Sequence, residues 1–334
     1  MRVLNPPSLV TLLAGFALAL PLAAHAYSAS VFTRAGAGVS VIGAPGSTEH
    51  APADRSASTT TVETLSLVNA ANALSTYPLY TASAAAHASA SVAPGVVSLR
   101  ASGYGGGTAS PPTYGQSDST GYAYAWGGFN DSMTLDIAGV AAGTLVEVDF
   151  SMRFDGVANV THSSVAGGWG KGGGDYHWLL QVTSAGWGAG MLYDSGTRTL
   201  QVDEYGNVTF NSLDFGSKSF TALLMTGAPL GLNAWAWAQA FGRGGFGFCP
   251  GCTDQMAGAG DSVMGGGTQS LSWNGVQGVR LNGSAVNLST VSLVSQTGLD
   301  LMAPVTAVPE PMSALLMGLG LSVLAVARRR RPAD

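Results

Sequence analysis

The chain has 334 residues, 47 of them glycine, with only 10% charged and a formal net charge of −5. That balance leaves no basic stripe to neutralise phosphates, which argues against nucleic-acid binding. Abundant Gly, Ser, Thr and Ala, with few charged helix formers, point to strands joined by Gly-rich turns and hence to an all-β fold.

The N-terminus reads as an address label. Arg2 gives a thin positive region, and Leu9 to Leu22 is apolar apart from Thr11, Gly15 and Pro21. Ala24-His25-Ala26 then fits a small-x-small cleavage pattern, so residues 1–26 are expected to be a signal peptide and the mature chain to begin at Tyr27. Residues 27–115 form an Ala/Ser/Thr-rich arm. Ala82 to Ala90 has the alanine content of a helix, but the weak alternation around it favours edge strands or an ordered arm.

Residues 116–305 carry the strand signals. Tyr122, Tyr124 and Trp126 alternate with Ala123 and Ala125, and Met133, Leu135 and Ile137 mark a second stretch. Leu145 to Asp155 is the clearest strand: Val146, Val148, Phe150, Met152 and Phe154 share one face, and Glu147, Asp149, Ser151 and Arg153 the other. A mobile Gly-rich loop is expected over 163–174. Thr197 to Asp203 and Asn207 to Asn211 read as a hairpin across Glu204-Tyr205-Gly206. Phe220 to Met225 and Leu232 to Phe241 follow, the latter with Asn233, Trp235, Trp237, Gln239 and Phe241 opposing alanines. Leu271 to Trp273, Val279 to Leu281 and Val291 to Leu301 complete the set. With no fixed repeat to suggest a solenoid, the expectation is an antiparallel β-sandwich of jelly-roll type.

Candidate chemistry is thin. Cys249-Pro250-Gly251-Cys252 is expected to close a disulfide across a Pro-Gly turn; free thiols, a metal or a redox pair are the rivals. Gly168-Trp169-Gly170-Lys171-Gly172-Gly173 matches a dinucleotide fingerprint by letters, but no βαβ unit surrounds it. Asp175 and His177, two apart on one strand face, are the best metal candidates, with Asp203 and Glu204 nearby in sequence. A structural Ca²⁺ is the ion they would suit, and surface groups are the plainer reading. Glu147 and Asp149 could serve a paired-carboxylate site only if the fold set their separation, and Arg153 makes a charged solvent face the simpler account. No nucleophile elbow or zinc-protease helix occurs, and His50, His87, His162 and His177 stand apart. The chain is expected not to be an enzyme.

The C-terminus, residues 306–334, has three parts: Val308-Pro309-Glu310-Pro311, an apolar run from Met312 to Ala327, and Arg328-Arg329-Arg330-Arg331. Sixteen residues of helix cover about 24 Å, short of a bilayer core of roughly 30 Å unless the bilayer thins and the arginines snorkel. The arginines would stay cytoplasmic and the body outside. The two prolines hold an extended segment that a processing enzyme could grip. This order resembles the PEP-CTERM sorting tail of proteins exported by Gram-negative bacteria. The resemblance implies passage through the Sec export machinery and the inner membrane, recognition by an exosortase, and delivery to the cell surface or the biofilm matrix. The small-residue alternation and the turn Ser272-Trp273-Asn274-Gly275 also resemble other cargo domains with this tail, which transfers no site.

Three functional classes follow. The first is a structural surface or extracellular-matrix protein. The second is a carbohydrate-binding module that stacks extracellular polysaccharide on Trp126, Trp169, Trp187, Trp235 or Trp237, although Trp235 and Trp237 alternate like core residues. The third, ice binding, would need ranks of Thr that the cluster Thr59-Thr60-Thr61 does not supply.

Overall fold

The computed structural model describes residues 27–42, 48–61, 63–77, 80–109, 116–163, 168–184, 187–202, 208–210, 216–246 and 262–305. Residues 1–26, Asp203 and Glu204, Cys249 and Cys252, and residues 306–334, on which the expected signal peptide, hairpin turn, disulfide and sorting tail fall, lie outside the described residues.

In chain order the strands are β1 (Ser28–Ile42), β2 (Thr48–Thr59), β3 (Leu65–Tyr77), β4 (Tyr80–Ala93), β5 (Val96–Ala109), β6 (Gln116–Ile137), β7 (Leu145–Ser163) and β8 (Gly168–Ser184). They continue as β9 (Trp187–Val202), β10 (Val208–Phe210), β11 (Gly216–Met225), β12 (Pro229–Phe246), β13 (Ser262–Leu281), β14 (Ser284–Ala285) and β15 (Val291–Ser295). Two antiparallel sheets result. Sheet A has eight strands in the order β10-β9-β8-β12-β6-β1-β2, with β15 beside the end of β6. Sheet B has seven, in the order β11-β7-β13-β5-β4-β3, with β14 beside β13. The fold is all-β, a two-layer sandwich, as the alternation predicts.

Three local expectations need correction. The residues read as an N-terminal arm form β1 to β5, and only β2 and β3 lie at sheet edges. Ala82 to Ala90 is strand, as its alternation favours, but lies inside sheet B between β5 and β3 rather than at an edge, its even-numbered alanines facing the core at no more than 4% exposure. The expected loop over 163–174 is largely strand: β8 starts at Gly168 and pairs with β12 from Phe246↔Gly168 onward.

The core is tapered along the strands. At one end the sheets are separated by Phe129, Met133 and Leu135 of β6, Phe150 and Phe154 of β7, Trp178 and Leu180 of β8, Leu230 and Leu232 of β12, and Trp273 of β13. Toward the other end β6 and β12 turn inward only Ser, Ala and Gly: Ala125, Ala123, Gly121, Ser119 and Ser117 on β6, and Ala238, Ala240, Gly242 and Gly244 on β12, while Tyr176 of the neighbouring β8 fills the space beside Ala238. There the layers come into backbone contact. A Cβ on Gly121 would lie 2.5 Å from the Tyr104 carbonyl oxygen and closer still to that of Ala85, both in sheet B. The usual spacing of about 10 Å cannot hold at Gly121, so no side chain fits between the layers at that point. Gln269 bridges the layers above it, its buried Nε2 donating to the Trp237 carbonyl at 2.6 Å.

The last described segment docks at the thick end. Trp273 Nε1 donates to the Leu301 carbonyl at 2.7 Å, and the Val305 N–H donates to the Trp273 carbonyl at 2.8 Å. The register of β13 shifts between Trp273 and Val276, where Gly275 takes φ +88°. A Cβ there would meet the Met302 carbonyl oxygen at 2.7 Å, so the turn needs glycine. The chain therefore heads toward its tail from the thick end.

Candidate functional site

The alternation of β12 and β6 puts alanines inward at the thin end and sends their large partners to the outer face of sheet A. Register makes this face a grid across β1, β6, β12 and β8. One row is Phe32, Trp126, Trp237 and His177. The next is Arg34, Tyr124, Gln239 and Asp175, and Tyr122 and Phe241 sit beside each other in the row beyond. On the opposite side, Ser30, Gly128, Trp235 and Leu179 make a row, followed by Ser28, Asn130, Asn233 and Gln181. Outward residues on a strand are about 6.8 Å apart and neighbouring strands about 4.8 Å, so the aromatic zone is a broad plateau rather than a pocket.

The rings brace one another. Phe32 meets Tyr124 edge-on at 5.8 Å between centroids, Tyr124 meets Trp237 at 5.9 Å, and His177 stacks on Trp237 at 4.1 Å. This diagonal ladder leaves Trp237 only 9% exposed, while Tyr122, Tyr124, Trp126, Trp235 and Phe241 are half-buried. Gly128 makes room beside it: a Cβ there would lie 2.8 Å from Trp235 Cβ and 3.3 Å from Trp126 Cζ2. The Trp126 indole thus reaches over the glycine of its own strand, next to Trp235.

Polar groups at the margins are held in planar pairs. Arg34 binds Asp54 with two hydrogen bonds, Nε–Oδ1 at 2.6 Å and Nη2–Oδ2 at 2.7 Å. Arg243 grips Asp118 in the same two-point manner, its Nε donating to Oδ1 at 2.9 Å. Gln239 Nε2 donates to Asp175 Oδ2. Burial pushes the Tyr122 and Tyr124 hydroxyls above the ordinary phenol range, so both stay protonated at neutral pH. The face can stack flat ligands and exchange hydrogen bonds with hydroxyls.

The residues singled out in the sequence fall as follows. Trp235 and Trp237 face outward, outside the core cluster between the sheets, although the neighbours of Trp237 bury it almost completely; on the inner side Val92, Val97 and Leu99 of the facing sheet already fill the space at Gly127, the register partner of Ala236. Trp126 joins them, whereas the side chains of Trp169 and Trp187 lie outside the described set. Asp175 and His177 do share a strand face, engaged with Gln239 and Trp237. Among the described residues no three His, Cys, Asp or Glu side chains gather as metal ligands. Glu147 and Asp149 lie on the outer face of sheet B, clamped by Arg280 Nε at 2.9 Å and Nη2 at 3.0 Å. Arg153 turns instead to Asp155 at 2.5 Å. Tyr27, the expected first mature residue, is buried at the start of β1, its hydroxyl pushed up to about 12 by burial and by Asp131.

Sequence reading missed Phe32, Arg34 and Asp118. The signal was present for the first two, since Ser28, Ser30, Phe32 and Arg34 alternate with Ala29, Val31, Thr33 and Ala35. It was lost in the low complexity of its surroundings. No family model, curated protein or solved structure matches the chain.

Proposed function

We propose that the chain is a non-enzymatic exported protein of the cell surface or extracellular matrix, sorted by an exosortase through Val308 to Pro311, and that its body acts by binding. The tail order of motif, apolar run and four arginines supports the sorting half of this reading. The observation that carries the binding half is the aromatic outer face of sheet A: a half-buried plateau of seven rings framed by hydrogen-bonding groups. An isolated structural sandwich would be expected to spend such positions on Thr, Lys and Glu. That placement favours the carbohydrate-binding class over a purely structural one. No cofactor is part of this account.

The sandwich is read here as a jelly roll. Along β5 to β13, leaving out β10, the first strand pairs with the last (β5 with β13), β6 with β12, β7 with β11, and β8 with β9. This is the pattern of one long hairpin rolled over itself. On this reading β3 and β4 widen one sheet, and β1 and β2 the other.

The test of sorting is a double substitution, Pro309→Ala with Glu310→Ala. The protein is expected to stay with the inner membrane while the unaltered protein reaches the outer surface or medium. Equal release of both would remove the exosortase from the account.

A further inference from the structure

We infer that the aromatic plateau binds an extended, uncharged polysaccharide chain, with Trp126 and Trp235 as the stacking surfaces. This rests on the reading of the body as an exported binding module. Four observations carry it.

The first is the arrangement around Gly128, where two indoles lie side by side on adjacent strands with no side chain between them. Sugar rings present flat C–H faces to aromatic surfaces, and paired indoles suit consecutive rings of a chain better than one terminal sugar. The second is pre-organisation. The Phe32, Tyr124, Trp237 and His177 ladder beneath and beside them fixes the surface before a ligand arrives, so little side-chain freedom is lost on binding.

The third is charge. On the outer face of the rows from Asp118 to Asn130, the described cations are Arg34, Arg243 and Lys171, and Asp54, Asp118 and Asp175 answer them, while Arg55 of β2 turns to the Val68 carbonyl of the other sheet. Arg34 and Arg243 are each spent on a carboxylate. A balanced face attracts neither a polyanionic glycan nor single-stranded nucleic acid, which need a cationic track beside the rings. The fourth is the placing of the polar groups. Charged and amide side chains reach the middle of the plateau, as Gln239 and Asp175 do beside Tyr124, whereas the centre of a protein–protein interface is depleted of charge. Paired planar groups held in fixed orientation are suited to vicinal hydroxyls, and Asn130, Asn233 and Gln181 extend this chemistry along the strands.

The test is native affinity electrophoresis of the full-length protein in mild detergent, through gels containing hydroxyethylcellulose, arabinoxylan or galactomannan, with alginate and poly-dT as charged controls. Retardation by at least one neutral chain is expected. Trp126→Ala and Trp235→Ala should each weaken it about tenfold, while Trp126→Phe should keep most of it. Arg280→Ala, on the opposite sheet, should change nothing. Thermal unfolding of each variant separates lost binding from lost fold. Mobility unaffected by all three neutral chains would overturn the inference, as would retardation that survives both alanine variants or is strongest in alginate or poly-dT. Neutral-chain binding by a protein that keeps its tail in the inner membrane would leave this inference standing and sink only the sorting.

Discussion

Gly121 shows how a single hydrogen atom sets the thickness of the molecule. Replacing it with alanine drives a methyl group into the Ala85 and Tyr104 carbonyls of the facing sheet. We expect a loss of about 3 kcal/mol, the upper end for overpacking. Gly139→Ala is the control: its φ is +80° but nothing lies within 4 Å, so only left-handed strain of about 1–2 kcal/mol is expected. Chemical denaturation of both variants compares the two costs, and equal losses would mean the sheets can part. Asp131 makes a second residue-scale prediction. It accepts from the Ser132 N–H at 2.8 Å and the Thr297 hydroxyl at 3.3 Å, yet burial holds its carboxyl above the usual range. The folded state then binds the proton more tightly than the unfolded chain. Stability should fall as pH rises from the ordinary value of 3.8 through the raised one, and stay lower above it. Asp131→Asn should flatten that slope in thermal melts and raise the midpoint at pH 7. None of this was legible in the sequence: a glycine in a glycine-rich chain does not say which carbonyl it faces.

At the scale of elements, period was legible and phase was not. The strand at Leu145 to Asp155 was assigned its correct inner face because large apolar residues alternate with charged ones. In β12 the choice lay between alanines and tryptophans, and hydrophobicity alone pointed the wrong way. Volume decided, since Val92, Val97 and Leu99 of the facing sheet already fill the space at Gly127, the register partner of Ala236, and by Gly121 the opposed backbones themselves touch. Glu147 and Asp149 were equally ambiguous until Arg280, far away in the chain, was seen to clamp both. Alanine at either carboxylate should shift stability by less than about 1 kcal/mol, as exposed ion pairs do, and leave binding intact. The docking of the C-terminal segment onto β13 offers a stronger effect. Trp273→Phe keeps most of the ring contact with Phe150 but orphans the Leu301 carbonyl. A loss of about 1–3 kcal/mol is expected, with faster proteolytic nicking near residues 299–305. Nicking at the unaltered rate would show that the segment is held by something other than this bond.

For the molecule as a whole, composition announced the sandwich, while its use had to be found in the register. The taper and the plateau are one feature: the strands that thin the interior are those that carry rings on the outside. The last described residues leave from the thick end, where Val305 packs against Gly95 and bonds to Trp273. The account stands or falls on whether the body is released as an exported species. The direct measurement is intact mass of the protein recovered from inner-membrane and extracellular fractions. A species beginning at Tyr27 and ending near Glu310, found outside the inner membrane, is the predicted result. A species that still carries Met312 to Asp334 and occurs only in the inner membrane would contradict it.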